Sequence, residues 1–264
     1  MRRPTPNYGM RLLRSHAVDA GDPLDDRTVR AMLAVRLIQL CVPGAGLDPR
    51  ILAGLETMLN DDALPELRQY ASIGTGDLAP ARAARHLTSD RRTARVKAAD
   101  ADGSLGADSA LPFMSSSALT VGRGCLALDE LSRLERASSV IYVLSFLALD
   151  GNPQALSSVA AQASAAPTST PSRVACVHCW RRRAGRIAGP ARIQDPYGLR
   201  VYPVAQAAAL ASLHSLEGQL ERTLNAAQEN PLFDIENDAV VHHGAFYQAS
   251  LSLGIGRHHS GARA

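Results

Sequence analysis

Apolar positions recur at helical spacing along most of this chain. The first clear stripe is Val29, Leu33, Leu37 and Leu40, led by Asp25 and Asp26, whose charges suit a helix N-terminus. Pro43-Gly44-Ala45-Gly46 ends it. Asp48 then reads as an N-cap with Pro49 at the first helical position, and Ile51, Leu52, Leu55, Met58 and Leu59 form a buried face. Helical texture resumes from about Ser115 to Leu149, with Leu126, Leu128, Leu131, Leu134, Val140, Val143, Leu144 and Leu147 as core candidates, and Asp150-Gly151-Asn152-Pro153 closes it. A last long pattern covers Tyr202 to Asn225. It breaks at Asn230-Pro231, and a turn follows at His242-His243-Gly244. Residues 81–106 and 164–190 show no helical pattern of large apolar side chains and are expected to be irregular. No internal repeat is present. The expected fold class is all-α, a long-helix bundle in a single domain over residues 1–264.

Composition agrees with helices. Apolar residues make up 46% of the 264 positions and aromatic residues 4%, with alanine and leucine dominant, which favours helices packed through small and γ-branched side chains over a β-sandwich. The net charge is +3, and Lys97 is the only lysine. Arginine is spread along the chain among nearly as many acids, so no nucleic-acid surface is expected. No apolar run is long enough to span a bilayer, and the opening Met-Arg-Arg-Pro-Thr-Pro-Asn lacks the apolar core of a secretory signal. Four cysteines in a chain this long make no disulfide scaffold, and a cytoplasmic protein is expected.

Candidate chemistry is uneven. Cys176-Val177-His178-Cys179 has the look of half a zinc site, but no second pair lies at suitable spacing, so no metal is expected there. His242-His243 and His258-His259 lack a partnering carboxylate motif and read as solvated. The stretch Tyr70-Ala71-Ser72-Ile73-Gly74-Thr75-Gly76-Asp77-Leu78-Ala79-Pro80 is different. Its glycines suit a tight turn between helical runs, but a turn alone does not account for the Asp-Leu-Ala-Pro that follows.

Four motifs in chain order supply an answer. Leu12-Leu13-Arg14-Ser15-His16-Ala17 resembles the Arg-Ser-His-Ala stretch of the histidine and phenylalanine ammonia-lyase family. Gly74-Thr75-Gly76-Asp77-Leu78-Ala79-Pro80 resembles that family's Gly-Ala-Ser-Gly-Asp-Leu-Ala-Pro loop. Gln194-Asp195-Pro196-Tyr197-Gly198-Leu199-Arg200 resembles Gln-Asp-x-Tyr-Ser-Leu-Arg, and Asn225-Ala226 through Asn230-Pro231-Leu232 resembles Asn-Ala-x-x-Asp-Asn-Pro-Leu.

The resemblance implies an all-α fold like the central part of the lyases and a small-molecule amino acid substrate. It implies a homotetramer with no nucleic-acid or membrane partner. It also implies a prosthetic group made without an external cofactor: the Gly76 nitrogen attacks the Gly74 carbonyl carbon, and loss of water leaves an exocyclic electrophile on residue 75. Gly74, Thr75, Gly76 and Tyr197 would be catalytic, with Tyr197 a hydrogen-bond or proton partner. Arg200 would bind the substrate carboxylate and Gln194 orient its neighbours. Ser15-His16 resembles the histidine-selective members, which need a polar partner for imidazole. Phe246 matches the phenylalanine of the family's Gly-Gly-Asn-Phe-His stretch, at the substrate. The implied reaction is elimination of ammonia from L-histidine to give urocanate.

The chain also departs from the pattern. Thr75 stands at the serine position, so ring closure would give the bulkier ethylidene. Tyr8-Gly9-Met10 does not match the family's tyrosine loop. Leu111-Pro112-Phe113-Met114-Ser115 falls where Leu-Asn-Gly-Thr is expected, and Ala245 replaces an asparagine. The resemblance covers about half of a usual member, so the chain is expected to be incomplete relative to the family at both ends. Residues 175–190 and 256–264 have the texture of frame-shifted GC-rich sequence. The readings left open are a histidine-type lyase, an aminomutase of the same chemistry, a catalytically inactive family member acting only through helix-mediated association, and a zinc module centred on Cys176.

Overall fold

The computed structural model describes residues 8–74, 76–89, 107–163, 170–184 and 192–261. The helices are α1 (Tyr8–His16), α2 (Asp26–Leu40), α3 (Arg50–Asn60), α4 (Ala79–Ser89), α5 (Ala107–Met114), α6 (Ala118–Ala148), α7 (Ser158–Ala163), α8 (Pro171–Ala184), α9 (Tyr197–Leu224) and α10 (Ala249–Gly261). Strands β1 (Ala20–Pro23) and β2 (Arg68–Tyr70) pair antiparallel, as do β3 (Leu232–Asp234) and β4 (Ala239–Val241), with Phe233 opposite Val240. The all-α expectation holds, with two small antiparallel strand pairs added. Among the described residues no helix is long and apolar enough to cross a membrane.

Local chemistry explains the element ends. Asp25 caps α2 by accepting the Thr28 amide at 2.8 Å. Asp48 accepts the Arg50 amide at 2.9 Å, so α3 starts at Arg50, one residue past the expected Pro49. The start of α9 is Tyr197 rather than Tyr202; Pro203 lies in its second turn and removes one backbone donor, and the Leu199 carbonyl four residues before it accepts the Tyr142 hydroxyl.

The chain forms two compact units, residues 1–126 with 219–250, and residues 127–218 with 251–264. In the first, α1 packs on α4 and α5, and α2 on α3, around Leu13, Met32, Leu33, Ile51, Leu55, Met58 and Phe113. In the second, Tyr142, Phe146, Leu156 and Cys176 form the core. The Tyr142 and Tyr202 rings stack at 4.3 Å, and the Tyr142 hydroxyl donates to the Leu199 carbonyl at 2.8 Å.

Three expectations need correction. The stretch 81–106 is not irregular throughout: α4 runs to Ser89 and α5 begins at Ala107, while 90–106 lie outside the described residues. Ala79, Ala81, Ala83 and Ala84 are buried, so close packing of methyl groups takes the place of large apolar side chains. Likewise, α8 occupies Pro171–Ala184 within the expected irregular run 164–190. Of the core candidates on α6, Leu134, Val140 and Leu144 are exposed; Ser139, Tyr142 and Phe146 take the buried positions.

Candidate active site

The turn between β2 and α4 is tied down by short-range hydrogen bonds. Ser72 and Asp77 form an isolated bridge. The Ser72 hydroxyl accepts from the Gly74 amide at 3.1 Å and donates to the Gly76 carbonyl at 3.1 Å; the Ile73 amide reaches that same carbonyl at 3.2 Å. Gly74 has φ of +85°, the left-handed region that glycine enters without strain, so an alanine there would be disfavoured by backbone angle alone. A Cβ added at Gly76 would lie 3.3 Å from the Ser116 carbonyl oxygen, tighter than ordinary contact, and 4.0 Å from Phe246 Cδ2. Phe246 therefore stands beside the loop. The Gly76 amide donates to no described residue. Thr75 lies outside the described residues.

Asp77 anchors the loop to α6. Its amide donates to the Ser116 carbonyl at 2.8 Å, and its carboxylate accepts the Thr120 amide at 2.8 Å and the Thr120 hydroxyl at 3.1 Å. An acid at the first turn of a long helix meets unsatisfied amides and the positive end of the helix dipole. Burial nevertheless pushes its pKa above the usual carboxylate range, against the pull of Thr120 and Arg123.

His16 closes α1. Its Nδ1 lies 3.0 Å from the Leu12 carbonyl, which can only accept, so Nδ1 carries the proton in that bond. Nε2 has no hydrogen-bond partner among the described residues.

Gln194, Tyr197 and Arg200 belong to the second unit. The Asp195 carboxylate accepts the Asn152 amide at 2.6 Å and pairs with Arg192 at 3.1 Å, while the Asn152 side chain donates to the Arg192 and Ile193 carbonyls at 3.0 Å. This clasp fixes the turn that starts α9. Arg200 donates Nε to the Asp195 carbonyl at 2.9 Å, and its guanidinium carbon stands 5.6 Å from the Tyr197 ring centre. Its terminal nitrogens make no hydrogen bond to a described residue, and Arg200 forms no ion pair among them. A cavity of about 270 Å³ opens here, with Asn152, Gln154, Gln194, Asp195 and Arg200 as polar lining and Ile193 and Val204 as apolar lining. Tyr197 is 69% exposed.

Several residues central to this geometry escape the motif reading. Arg36 and Glu229 are both fully buried and pair at 2.8 Å. Arg36 also donates to the Phe113 carbonyl at 3.1 Å and to the Pro112 carbonyl, while Glu229 Oε2 has no partner among the described residues. Burial depresses the Arg36 pKa, and the Glu229 carboxylate beside it opposes that. The signal was available: Arg36 sits seven residues after Val29 and four before Leu40, on the apolar face of α2. In the sequence Asn152 reads only as a turn residue, and Asp195 only as part of a motif.

Cys176 lies in the core of the second unit, where burial pushes its thiol up to about 12, far from the thiolate that zinc requires. Among the described residues no group of three or more His, Cys, Asp or Glu side chains could hold a metal ion.

Comparison with known proteins agrees with the motifs. The aromatic amino acid lyase family model matches residues 3–257. The chain is 29% identical to a probable histidine ammonia-lyase of Halobacterium salinarum, over 93% of this chain and 52% of that protein. It is 30% identical to the histidine ammonia-lyase of Geobacillus kaustophilus, over 87% and 48%. Among solved structures it superposes on ergothionase from Treponema denticola with a TM-score of 0.79 at 22% identity, covering 97% of this chain and 54% of that one. Histidine ammonia-lyase from Trypanosoma cruzi gives 0.77 at 20% identity, covering 96% and 50%. The chain spans about half the length of the curated relatives it matches. With the loop, the Arg200 turn and the helical framework accounted for, the conclusion is direct: this chain belongs to the aromatic amino acid lyase family.

Proposed function

We propose that this chain carries reacting groups of a histidine-type ammonia-lyase, a carbon–nitrogen lyase that eliminates ammonia from L-histidine to give urocanate. The observation that carries this reading is Arg200. Its Nε is tied to the chain and its terminal nitrogens are open to a ligand, on a cavity that also presents Gln194. At about 270 Å³ the cavity is near the lower bound of ligand pockets, roughly 300 Å³, which suits a single amino acid. A planar guanidinium meets both oxygens of a carboxylate at once. Histidine is favoured as substrate by the names of the curated relatives and by the Ser15-His16 pair, whose imidazole has Nε2 available.

The residues at the loop suit an electrophile formed from Gly74-Thr75-Gly76. A hydroxyl side chain stands between two glycines, and the Gly76 nitrogen is committed to no described acceptor. Once formed, such a group supplies a carbon that accepts electron density from the substrate and eases departure of ammonia; no external cofactor is needed. Phe246 lies beside it and Asp77 holds it to α6; Tyr197, whose ring flanks Arg200 in the second unit, has the proton-partner role that the family resemblance implies.

Ring closure expels one water from the Gly74 carbonyl, and dehydration of Thr75 expels a second. Intact-mass measurement is therefore expected to show a deficit of two waters, abolished or halved by Thr75→Ala. An unmodified wild-type mass would remove the electrophile and leave ancestry alone.

We also propose self-association of whole chains, with a tetramer as the family resemblance implies. Leu134, Val140, Ile141 and Leu144 of α6 are between 58% and 65% exposed, a cost in water that a second copy would relieve. Light scattering is expected to give a mass above the monomer; a well-behaved monomer would overturn this. The cysteines Cys41, Cys125, Cys176 and Cys179 are free thiols, which suits a cytoplasmic location. Association without catalysis remains the second reading, favoured by the same exposed face and separated from the first by the mass deficit.

A further inference from the structure

A buried ion pair is an expensive way to fill space between helices, and here one carboxylate oxygen is left without a partner among the described residues. Apolar side chains of similar volume would pack as well. They could not hold backbone carbonyls in place. Arg36 holds two: Nε binds the Phe113 carbonyl at 3.1 Å and another guanidinium nitrogen binds that of Pro112, at the C-terminal end of α5. Three residues on, the Ser116 carbonyl receives the Asp77 amide at 2.8 Å, and the Ser116 hydroxyl receives the Ala118 amide at 2.9 Å at the start of α6. That carbonyl is also the atom closest to the place a Gly76 Cβ would occupy.

Glu229 reaches the loop by a second route. Its backbone carbonyl lies 2.6 Å from His243 Nε2, and since Nδ1 accepts the Ala245 amide at 3.0 Å, Nε2 is the donor. The His243 ring lies 6.4 Å from that of Phe246, the side chain beside Gly76. Next to the pair, Gln228 Oε1 accepts from Ser117 at 2.8 Å and Gln248 at 3.0 Å, binding the same corner of α6 to the segment after Phe246.

We propose that the Arg36–Glu229 pair is a positioning device for the Gly74–Gly76 loop, fixing both walls against which the loop is held. The inference rests on reading that loop as the reacting element, and it assigns neither residue a contact with substrate. Arg36 sets the Ser116 wall through the carbonyls of α5, and Glu229 sets the Phe246 wall through His243. Misplacement of either wall loosens the turn in which the Gly76 nitrogen must meet the Gly74 carbonyl.

The test uses the full chain. In wild type, the hydrogen-bonded amides of Asp77, Leu78, Ser115 and Ala118 are expected to exchange with deuterium together, at the slow rate of the α2 core. Fast local exchange at Asp77 alone would overturn the proposal without any variant. Arg36→Met with Glu229→Leu replaces the pair by apolar side chains, so far-UV circular dichroism should stay close to wild type. Exchange in the peptide containing 70–80 is expected to rise at least tenfold, and the fraction of chains with the two-water mass deficit to fall. Arg36→Lys, which keeps the charge beside Glu229 but loses the fork on the α5 carbonyls, is expected to raise loop exchange alike. A folded variant with wild-type loop exchange would reduce the pair to a prop for the helices. Absence of the mass deficit in wild type with a slowly exchanging loop would sink the electrophile while leaving the positioning role intact.

Discussion

Glu229→Ala alone is expected to destabilise the first unit by about 3–5 kcal/mol, the usual consequence of removing one partner of a fully buried ion pair. Both side chains have zero exposure and stand 2.8 Å apart. The loss is therefore less the attraction itself than the cost of leaving the Arg36 charge in a dry interior, where burial already depresses its pKa. Two carbonyls and the distant Gln39 Oε1, 3.5 Å away, would remain as its hydrogen-bond acceptors among the described residues, with the Phe113 ring 5.9 Å from the guanidinium carbon. Domains of this size hold about 5–15 kcal/mol in total, so the variant should lose much of its margin. Urea titration followed by far-UV circular dichroism reads this as a large fall in midpoint. Glu229→Gln should fall in between, since its amide oxygen still accepts from Arg36 but its NH₂ adds two donors to a buried spot. A loss below about 1 kcal/mol in the alanine variant would mean that water reaches Arg36 and that the pair is not dry.

What the sequence discloses and what it conceals follow from the range of the interactions involved. Helices α2, α3, α6 and α9 were legible because apolar spacing and caps such as Asp25 act within a few residues of chain. The extra turn at the start of α9 was hidden because Pro203 looks like a breaker, although the Leu199 carbonyl that it leaves without a helical donor is taken by the Tyr142 hydroxyl. Helix α4 was hidden for another reason: its buried face is made of alanines, which a search for large apolar residues passes over. On α6 the stripe marked Leu134, Val140 and Leu144 as core, yet periodicity says only that a face is apolar, not what covers it. The candidate residues Gly74, Gly76, Arg200 and Phe246 stand out in the sequence because each belongs to a short local signature. Arg36 and Glu229 lie 193 positions apart and meet only through the fold. A charged residue on the apolar face of α2 hinted at the first, and nothing adjacent to Glu229 marked the second.

Arg200→Lys is expected to weaken L-histidine binding by about 1.5–3 kcal/mol, tenfold to more than a hundredfold, because it keeps the charge and loses the fork. The geometry favours a clean result. Nε is held by the Asp195 carbonyl at 2.9 Å and the Tyr197 ring flanks the guanidinium at 5.6 Å, so the group is oriented before any ligand arrives. A lysine ammonium cannot both keep that backbone tie and offer two parallel donors. Tyr197→Phe should leave binding nearly unchanged, since the ring that flanks Arg200 is retained and only the hydroxyl goes; turnover alone should drop if that hydroxyl moves a proton. Asp195→Asn offers an internal check. It keeps an acceptor for the Asn152 amide but removes the charge that pairs with Arg192, so binding should weaken less than in Arg200→Lys, through loosening of the turn. Calorimetric titration of these proteins with L-histidine separates the cases. Equal affinity in Arg200→Lys and wild type would show that the carboxylate is bound elsewhere. Failure of wild type to bind any aromatic amino acid would show that the cavity beside Arg200 is not by itself a substrate pocket, and association without catalysis would then be the better account of the chain.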